Sequence, residues 1–386
     1  MKASWIILVA ALLISSILLP AAYFETQNKK ENKNSDVFLG VTFGSNSTLE
    51  AKALVDKIKD YTNLFIVDSW DISTNESELN EVCNYAVSAG LKVMVYYDFI
   101  SFVGYPWLQG WLNTAKERWG NNFLGIYLYD EPGGRQIDTK QWHTGDYARK
   151  AMQNASNYDD AAYRYVNSIT QSLSNQNLKS TGIPLATSDY ALYWFDYLSD
   201  YSVVFAELVG SNQTSKIQQI DLCRGAANVQ NKQWGVIITR SNDTTSTIEN
   251  GTSMLSDMSL AYQAGAKFIV VFNYDAFPGE NPSQTLTEDQ FQAIRDFWNQ
   301  INSDQQGTFG TIKAEVALVL PKNYGWGLRT PTDAIWGLWN SDALSPIIWN
   351  RMNQLLNEYG MKLDIIYNDT AFNFQKKYSE IYYWNG

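Results

Sequence analysis

The chain has 386 residues, 45% of them hydrophobic and only 18% charged, with a formal net charge of −11. That is apolar material enough for one large domain plus a small one, and it excludes a disordered chain. The acidic balance, with no basic run anywhere, argues against nucleic acid as a partner, because phosphate binding needs clustered Lys and Arg.

Trp5 to Tyr23 is about one bilayer span of apolar residues, preceded only by Lys2 and the amino terminus. Residues 1–24 therefore read as a signal peptide or, equally, as an uncleaved transmembrane anchor in the membrane. The polar stretch 25–35 reads as a flexible tether. Both readings place the rest of the chain outside the cytoplasm, as an extracellular, secreted or cell-surface protein. Seven Asn-X-Ser/Thr sequons, at Asn46, Asn75, Asn154, Asn212, Asn242, Asn250 and Asn368, accord with an exported glycoprotein. Cys83 and Cys223 fall in helical patterns far apart and read as buried free thiols.

From Asp36 one pattern repeats: a short apolar run, a polar turn, then an amphipathic stretch. The predicted strands run from Val37 to Phe43, Leu64 to Val67, Lys92 to Tyr97, Phe123 to Tyr129, Leu185 to Thr187, Ser202 to Ala206, Trp234 to Thr239 and Phe268 to Phe272. Ser47-Thr-Leu-Glu50 reads as a capping box for the first helix. A second helix is predicted from Glu76 to Ser88, stopped by Gly90. After the fourth strand comes an irregular insertion, 135–157, and the last helix is capped at Thr287 with Gln290 three residues on. Eight such units over residues 36–303 predict an α/β fold, a (β/α)8 TIM barrel. An open doubly wound sheet would carry a Gly-rich loop after its first strand, and none is present.

Residues 312–386 differ. A strand from Glu315 to Leu320 is ended by Pro321, and an aromatic loop follows. Ser345-Pro346 reads as N-cap and N1 of a helix ending at Gly360, with further strands from Leu363 to Tyr367 and from Ile381 to Trp384. Three strands and one helix bury little alone, so this small α/β segment is expected to pack on the barrel.

Nearly every barrel strand ends in a polar group: Asp68, Asp98, Glu131, Asp189, Glu207, Arg240 and Asn273. In a barrel these ends converge on one mouth, where sites are built. The fourth strand is the most telling: an uncharged run ends in Asp130-Glu131, followed by Pro132 and two glycines. Strict alternation would turn Glu131 the same way as Tyr129 and Tyr127, into the barrel, and Asp130 the other way with Leu128. A glutamate among tyrosines is desolvated, which raises its pKa and suits a general acid. The alternative is a pair that caps the strand and solvates the turn. Glu207 is the natural second carboxylate, two strands away at about 5 to 9 Å, or else a lining glutamate paired with Arg240. Asp68, Asp98, Asp189, Arg240 and Asn273 are expected ligands of sugar hydroxyls, and Trp70, Tyr97, Tyr129, Tyr190 and Tyr274 complete the substrate-binding set. Asp275, Trp107 and Trp111 have the same chemistry; a helix N-cap or turn role is the alternative for Asp68, Asp98, Asp189 and Asp275, and core or rim packing for Trp70, Trp107, Trp111, Tyr190 and Tyr274. The single histidine, His143, rules out a His-based triad and a multi-histidine zinc site, and no metal or other cofactor is expected.

Ile126-Tyr-Leu-Tyr-Asp-Glu-Pro-Gly133 resembles the fourth-strand signature of the (β/α)8 glycoside hydrolases, in which an Asn-Glu-Pro sequence carries the acid/base glutamate. The resemblance implies that role for Glu131. This chain has Asp130 in place of the Asn, and its seventh strand ends in Arg240 where that clan has a nucleophilic glutamate. The Asp-Glu pair is also similar to that of hexosaminidases acting through the substrate's own acetamido group, in which the Glu is the acid and the Asp steers the acetamide. The C-terminal segment resembles a shortened form of the flavodoxin-like, amidotransferase-like domain of β-galactosidase relatives. What this implies is a glycosidase, a hydrolase of extracellular or cell-surface carbohydrate, with Glu131, Glu207 and Asp130 catalytic. The alternative is a non-catalytic glycan-binding or envelope scaffold protein with a degenerate barrel site.

Overall fold

Runs of Val, Ile, Leu and aromatic residues, apolar on both faces, favour strands buried between a lumen and a ring of helices. In the computed structural model, which describes residues 37–97, 105–138, 152–175, 177–239, 250–273, 286–304 and 307–385, they form such strands. The first half comprises β1 (Phe38–Phe43), α1 (Thr48–Ile58), β2 (Leu64–Val67), α2 (Trp70–Thr74), α3 (Glu76–Ser88), β3 (Lys92–Tyr97), α4 (Leu108–Trp119), β4 (Phe123–Asp130) and α5 (Pro132–Ile137). The second half follows with α6 (Tyr158–Asn175), β5 (Leu185–Asp189), α7 (Tyr193–Leu198), β6 (Val203–Leu208), α8 (Gln213–Gln230), β7 (Gln233–Ile238), α9 (Gly251–Gln263), β8 (Phe268–Val271) and α10 (Glu288–Asn302). β1 to β8 pair in parallel, each with its neighbour, and β1 closes on β8. The predicted eight-strand barrel is the fold.

Two apolar layers hold it. Leu64, Ile66, Met94, Tyr127, Val203, Phe205, Phe268 and Val270 fill the lumen, while Val41, Val67, Ile126, Leu128, Ala206 and Ile269 face the helices. Gly235 is a packing requirement of the lumen, since a Cβ there would lie 2.6 Å from the Phe268 Cβ. Most expected caps form: Thr287 and Gln290 make a complete capping box, and Gly90 follows α3 with φ +90°. The box at Ser47 is half made. Ser47 accepts the Glu50 amide at 3.3 Å, but the Glu50 carboxylate takes the Ser45 hydroxyl at 2.6 Å instead of reaching back. Cys83 and Cys223 are buried free thiols, as expected. Among the described residues no helix is long and apolar enough to cross a membrane, and the predicted anchor, 1–24, lies outside them.

Beyond the barrel, β9 (Val316–Leu320), α11 (Ser345–Tyr359), β10 (Leu363–Tyr367) and β11 (Glu380–Tyr383) form a small parallel sheet in the order β10-β9-β11 with one helix. Ser345 is the first helical residue, with Leu344 at the N-cap, one position earlier than Ser345-Pro346 predicts. This sheet is fastened by α8, buried on nearly all sides between barrel and sheet. A Cβ on Gly225 would lie 2.8 Å from the Ile365 carbonyl, so the helix approaches β10 as closely as glycine permits. Arg224, 2% exposed, donates to Asp364 (2.8 Å), Asp221 (3.0 Å) and the carbonyls of Met361 (2.8 Å) and Leu363 (2.7 Å).

Candidate active site at the barrel mouth

The geometry of the site follows from one irregularity in β4. Tyr127 pairs with Ala186 on β5, but Asp130 pairs with Ser188, so β4 carries one surplus residue between them. Tyr129 absorbs it with φ 57°, its carbonyl held by the Thr187 hydroxyl at 2.6 Å. Such a bulge reverses alternation beyond it. Tyr129 turns outward and its hydroxyl meets Ser172 of α6 at 2.7 Å. Asp130 turns inward, where Oδ1 accepts the Tyr127 hydroxyl at 2.6 Å and the Ser188 hydroxyl at 3.0 Å. The alternation expected from sequence is therefore corrected at both residues.

Glu131 also faces the mouth, because its own backbone is left-handed (φ 54°, ψ 46°) at the N-cap of α5. Left-handed non-glycine residues cost about 1–3 kcal/mol each and collect at functional sites. Here two flank Asp130 and present both acids to one space. Glu207, reached by the even alternation Val203, Phe205, Glu207, is 9% exposed and accepts the Ser188 hydroxyl at 2.8 Å. The Glu131 and Glu207 carboxyls face each other as hydrogen-bonding partners. Arg135, one turn along α5, lies 3.5 Å from Asp130 Oδ2 and 3.8 Å from Glu131 Oε2.

Two carboxyls that touch in a dry site cannot both ionise freely. Burial, then the charge of Asp130, pushes Glu131 up to about 8. Burial, then the charges of Glu131 and Asp130, lifts Glu207 well above the carboxylate range. At neutral pH the pair holds on to its protons, which makes it a proton donor. There is a cost in stability. Both folded pKa values lie above the unfolded ones, so the pair's stabilising contribution is complete below about pH 4.5 and fades as pH rises through about 8. Glu207→Gln keeps the shape and the hydrogen bonds without the charge. At pH 8.5 it is expected to exceed the wild type in unfolding free energy, and at pH 4.5 to match it. Paired denaturant titrations at the two pH values check this.

The remaining expected ligands divide. Asp68 is 8% exposed and close enough to the Tyr127 hydroxyl to raise its pKa with Asp130 and Glu207. Trp70 is 50% exposed at the start of α2, edge-on to Tyr105. Tyr190 is half-buried, donates to Asp138 at 2.7 Å and lies under Arg329 of the C-terminal segment. Three residues are turned to other work. Tyr97 is fully buried outside the barrel against Tyr105 and Trp111, and Tyr96 takes the lumen position beside Tyr127. Asn273 joins the end of β8 to β1 through Thr42 and accepts the Leu286 amide at 2.9 Å. Asp189 is fully buried beneath α5, its carboxylate spent on backbone amides. Trp111 is core, hydrogen-bonded to Asn80 at 2.9 Å. Asp98, His143, Arg240, Tyr274 and Asp275 lie outside the described residues.

Ser188 and Arg135 are site residues that the strand-end survey misses. Ser188 was within reach: alternation along β5 puts it beside Ala186 inside the lumen. Arg135 carries only the weak signal of standing four residues after Glu131. Among the described residues no cluster of His, Cys, Asp and Glu has a metal-holding arrangement.

Among solved structures, the chain is similar to a β-galactosidase from the psychrophilic Marinomonas ef1, with a TM-score of 0.56 and 13% identity over 86% of this chain and 70% of that one. It is similar also to a β-galactosidase from Bacillus circulans sp. alkalophilus, with a TM-score of 0.56 and 10% identity over 90% of this chain and 67% of that one. At 10–13% identity the likeness is one of fold alone, the (β/α)8 barrel. No protein-family model matches the chain, and no curated protein matches its sequence.

Proposed function

We propose that the barrel mouth hydrolyses a glycosidic bond of an extracellular or cell-surface glycan, with Glu131 as the proton donor. The observation that carries this reading is the buried Glu131–Glu207 pair beside Asp130, with burial raising both glutamates above the usual carboxylate range. In the first step Glu131 gives its proton to the glycosidic oxygen as the C1–O bond breaks. The positive charge developing at C1 is met by a carboxylate or by the substrate's own acetamide oxygen. Glu131 then takes a proton from the water that completes hydrolysis. Asp130, turned inward and steadied by Tyr127 and Ser188, is suited to orient an acetamido group, and this route needs no glutamate on β7. A sugar entering the site parts the pair, since retaining enzymes hold their carboxyls roughly 5–5.5 Å apart and inverting ones further.

One observation favours the second reading, a glycan-binding barrel without catalysis: the two carboxyls partner each other. A panel of β-galactosides and β-N-acetylhexosaminides, assayed for released sugar, separates the two. Turnover on any member supports hydrolysis, with preference for the acetamido sugars assigning Asp130 its role. Binding to the panel without release establishes the scaffold reading.

A further inference from the structure

Asp189 does not reach the mouth, yet its position beneath Glu131 is specific. Oδ2 accepts the Gly133 amide at 2.5 Å, and Oδ1 accepts the amides of Gly134 (2.7 Å), Tyr190 (2.7 Å) and Ala191 (3.0 Å). Two of these amides belong to the first turn of α5, immediately after Glu131. The turn is packed to the limit: a Cβ on Gly133 would meet the Ala191 carbonyl at 2.5 Å and Asp189 Oδ2 at 2.8 Å. Asp189 is itself held from below. Asp196 of α7, fully buried, is its hydrogen-bonding neighbour, and Tyr165 of α6 donates to Asp196 Oδ1 at 2.7 Å.

We infer that Asp189 is a positioning residue: by clamping the Gly133 and Gly134 amides it fixes the left-handed backbone at Glu131 and so brings the Glu131 carboxyl against Glu207. Without the clamp, Glu131 has an ordinary strand-end conformation open to it, and the mouth loses the touching pair. The inference gives a role to the Pro-Gly-Gly sequence after Glu131, where any side chain on Gly133 would strike the clamp. It deepens the catalytic reading above and rests on it for its consequence in turnover, but its geometry is testable without turnover.

The test is the titration of the Glu131–Glu207 pair, followed through the carboxyl C=O stretch in infrared difference spectra of the full chain. Among the described residues, the other charged or titratable groups facing the pair are Asp130 and Arg135 on its own segment, Asp189 and Tyr190 from β5 and its loop, and Tyr193 from α7. Asp68 faces it from β2 through Tyr127, with Tyr127 between. Asp189→Asn alters both charge and clamp, whereas Gly133→Ala displaces the clamp and leaves the Asp189 charge in place. Both are expected to move the highest carboxyl titration of the mouth down by a pH unit or more. Asp196→Asn, which keeps a donor towards Asp189, is expected to leave it unmoved. A titration unchanged in Gly133→Ala overturns the inference, whether or not Asp189→Asn folds, because charge alone then explains Asp189. If the titration moves as expected while the wild type releases no sugar from any glycoside, positioning stands and the hydrolase reading falls.

Discussion

Glu131→Gln is expected to lower kcat about 10²- to 10⁴-fold on a glycoside whose leaving group is another sugar, the range general acid catalysis supplies. The substitution keeps the shape of the side chain, its place at the α5 N-cap and a hydrogen bond to Glu207, and removes only the transferable proton. That permits an internal control. A nitrophenolate departs without protonation, so the same variant should lose far less on a dinitrophenyl glycoside. The pair of substrates separates a missing acid from a damaged mouth, because a misfolded variant loses both activities in proportion. Steady-state kinetics on the two classes checks it.

Arg224→Ala is expected to cost about 3–5 kcal/mol of unfolding free energy, the amount typical of removing one partner from a buried ion pair. Asp364 would keep hydrogen bonds from Asn228 (2.9 Å) and Tyr378 (2.8 Å), but its charge would remain in the interior without a cation. The carbonyls of Met361 and Leu363 would lose their donor as well. These groups belong to the C-terminal sheet, so loosening should begin there. Limited proteolysis ought to clip the variant within residues 316–385 before the barrel, and urea titration ought to report the lost free energy. The barrel mouth should feel it second-hand. Arg329 reaches from the same segment to Asp138 at the end of α5 with paired bonds of 2.7 and 2.8 Å, while Gln136 donates to the Trp336 carbonyl at 2.8 Å.

The barrel was legible because its signal is redundant: eight apolar runs at regular spacing, each followed by an amphipathic stretch. Several strand and helix limits, such as Leu64–Val67, Lys92–Tyr97 and Glu76–Ser88, fall where the pattern puts them. Glu207 was legible for the same reason, since nothing interrupts alternation along β6. The fourth strand was not, because a bulge has no composition of its own. Tyr129 looks like any strand tyrosine, and only its pairing with β5 reveals the surplus residue that turns Asp130 inward. Asp189 and Asn273 were left open by the sequence for a different reason. A polar residue at a strand end has the same sequence signature whether it serves a ligand or a backbone amide, and burial alone separates the two. Arg329 acts through Asp138, a partner distant in the chain, about which one sequence is silent.

The basic limb of kcat/KM on a sugar-leaving-group substrate tests the central claim most directly, because that ratio reports the free enzyme's ionisations. If Glu131 delivers the proton, the rate holds through neutrality and falls about tenfold per unit once pH passes about 8, where the buried pair gives up its proton. A rate that stays level to pH 9.5, or a decline centred near pH 5, contradicts it.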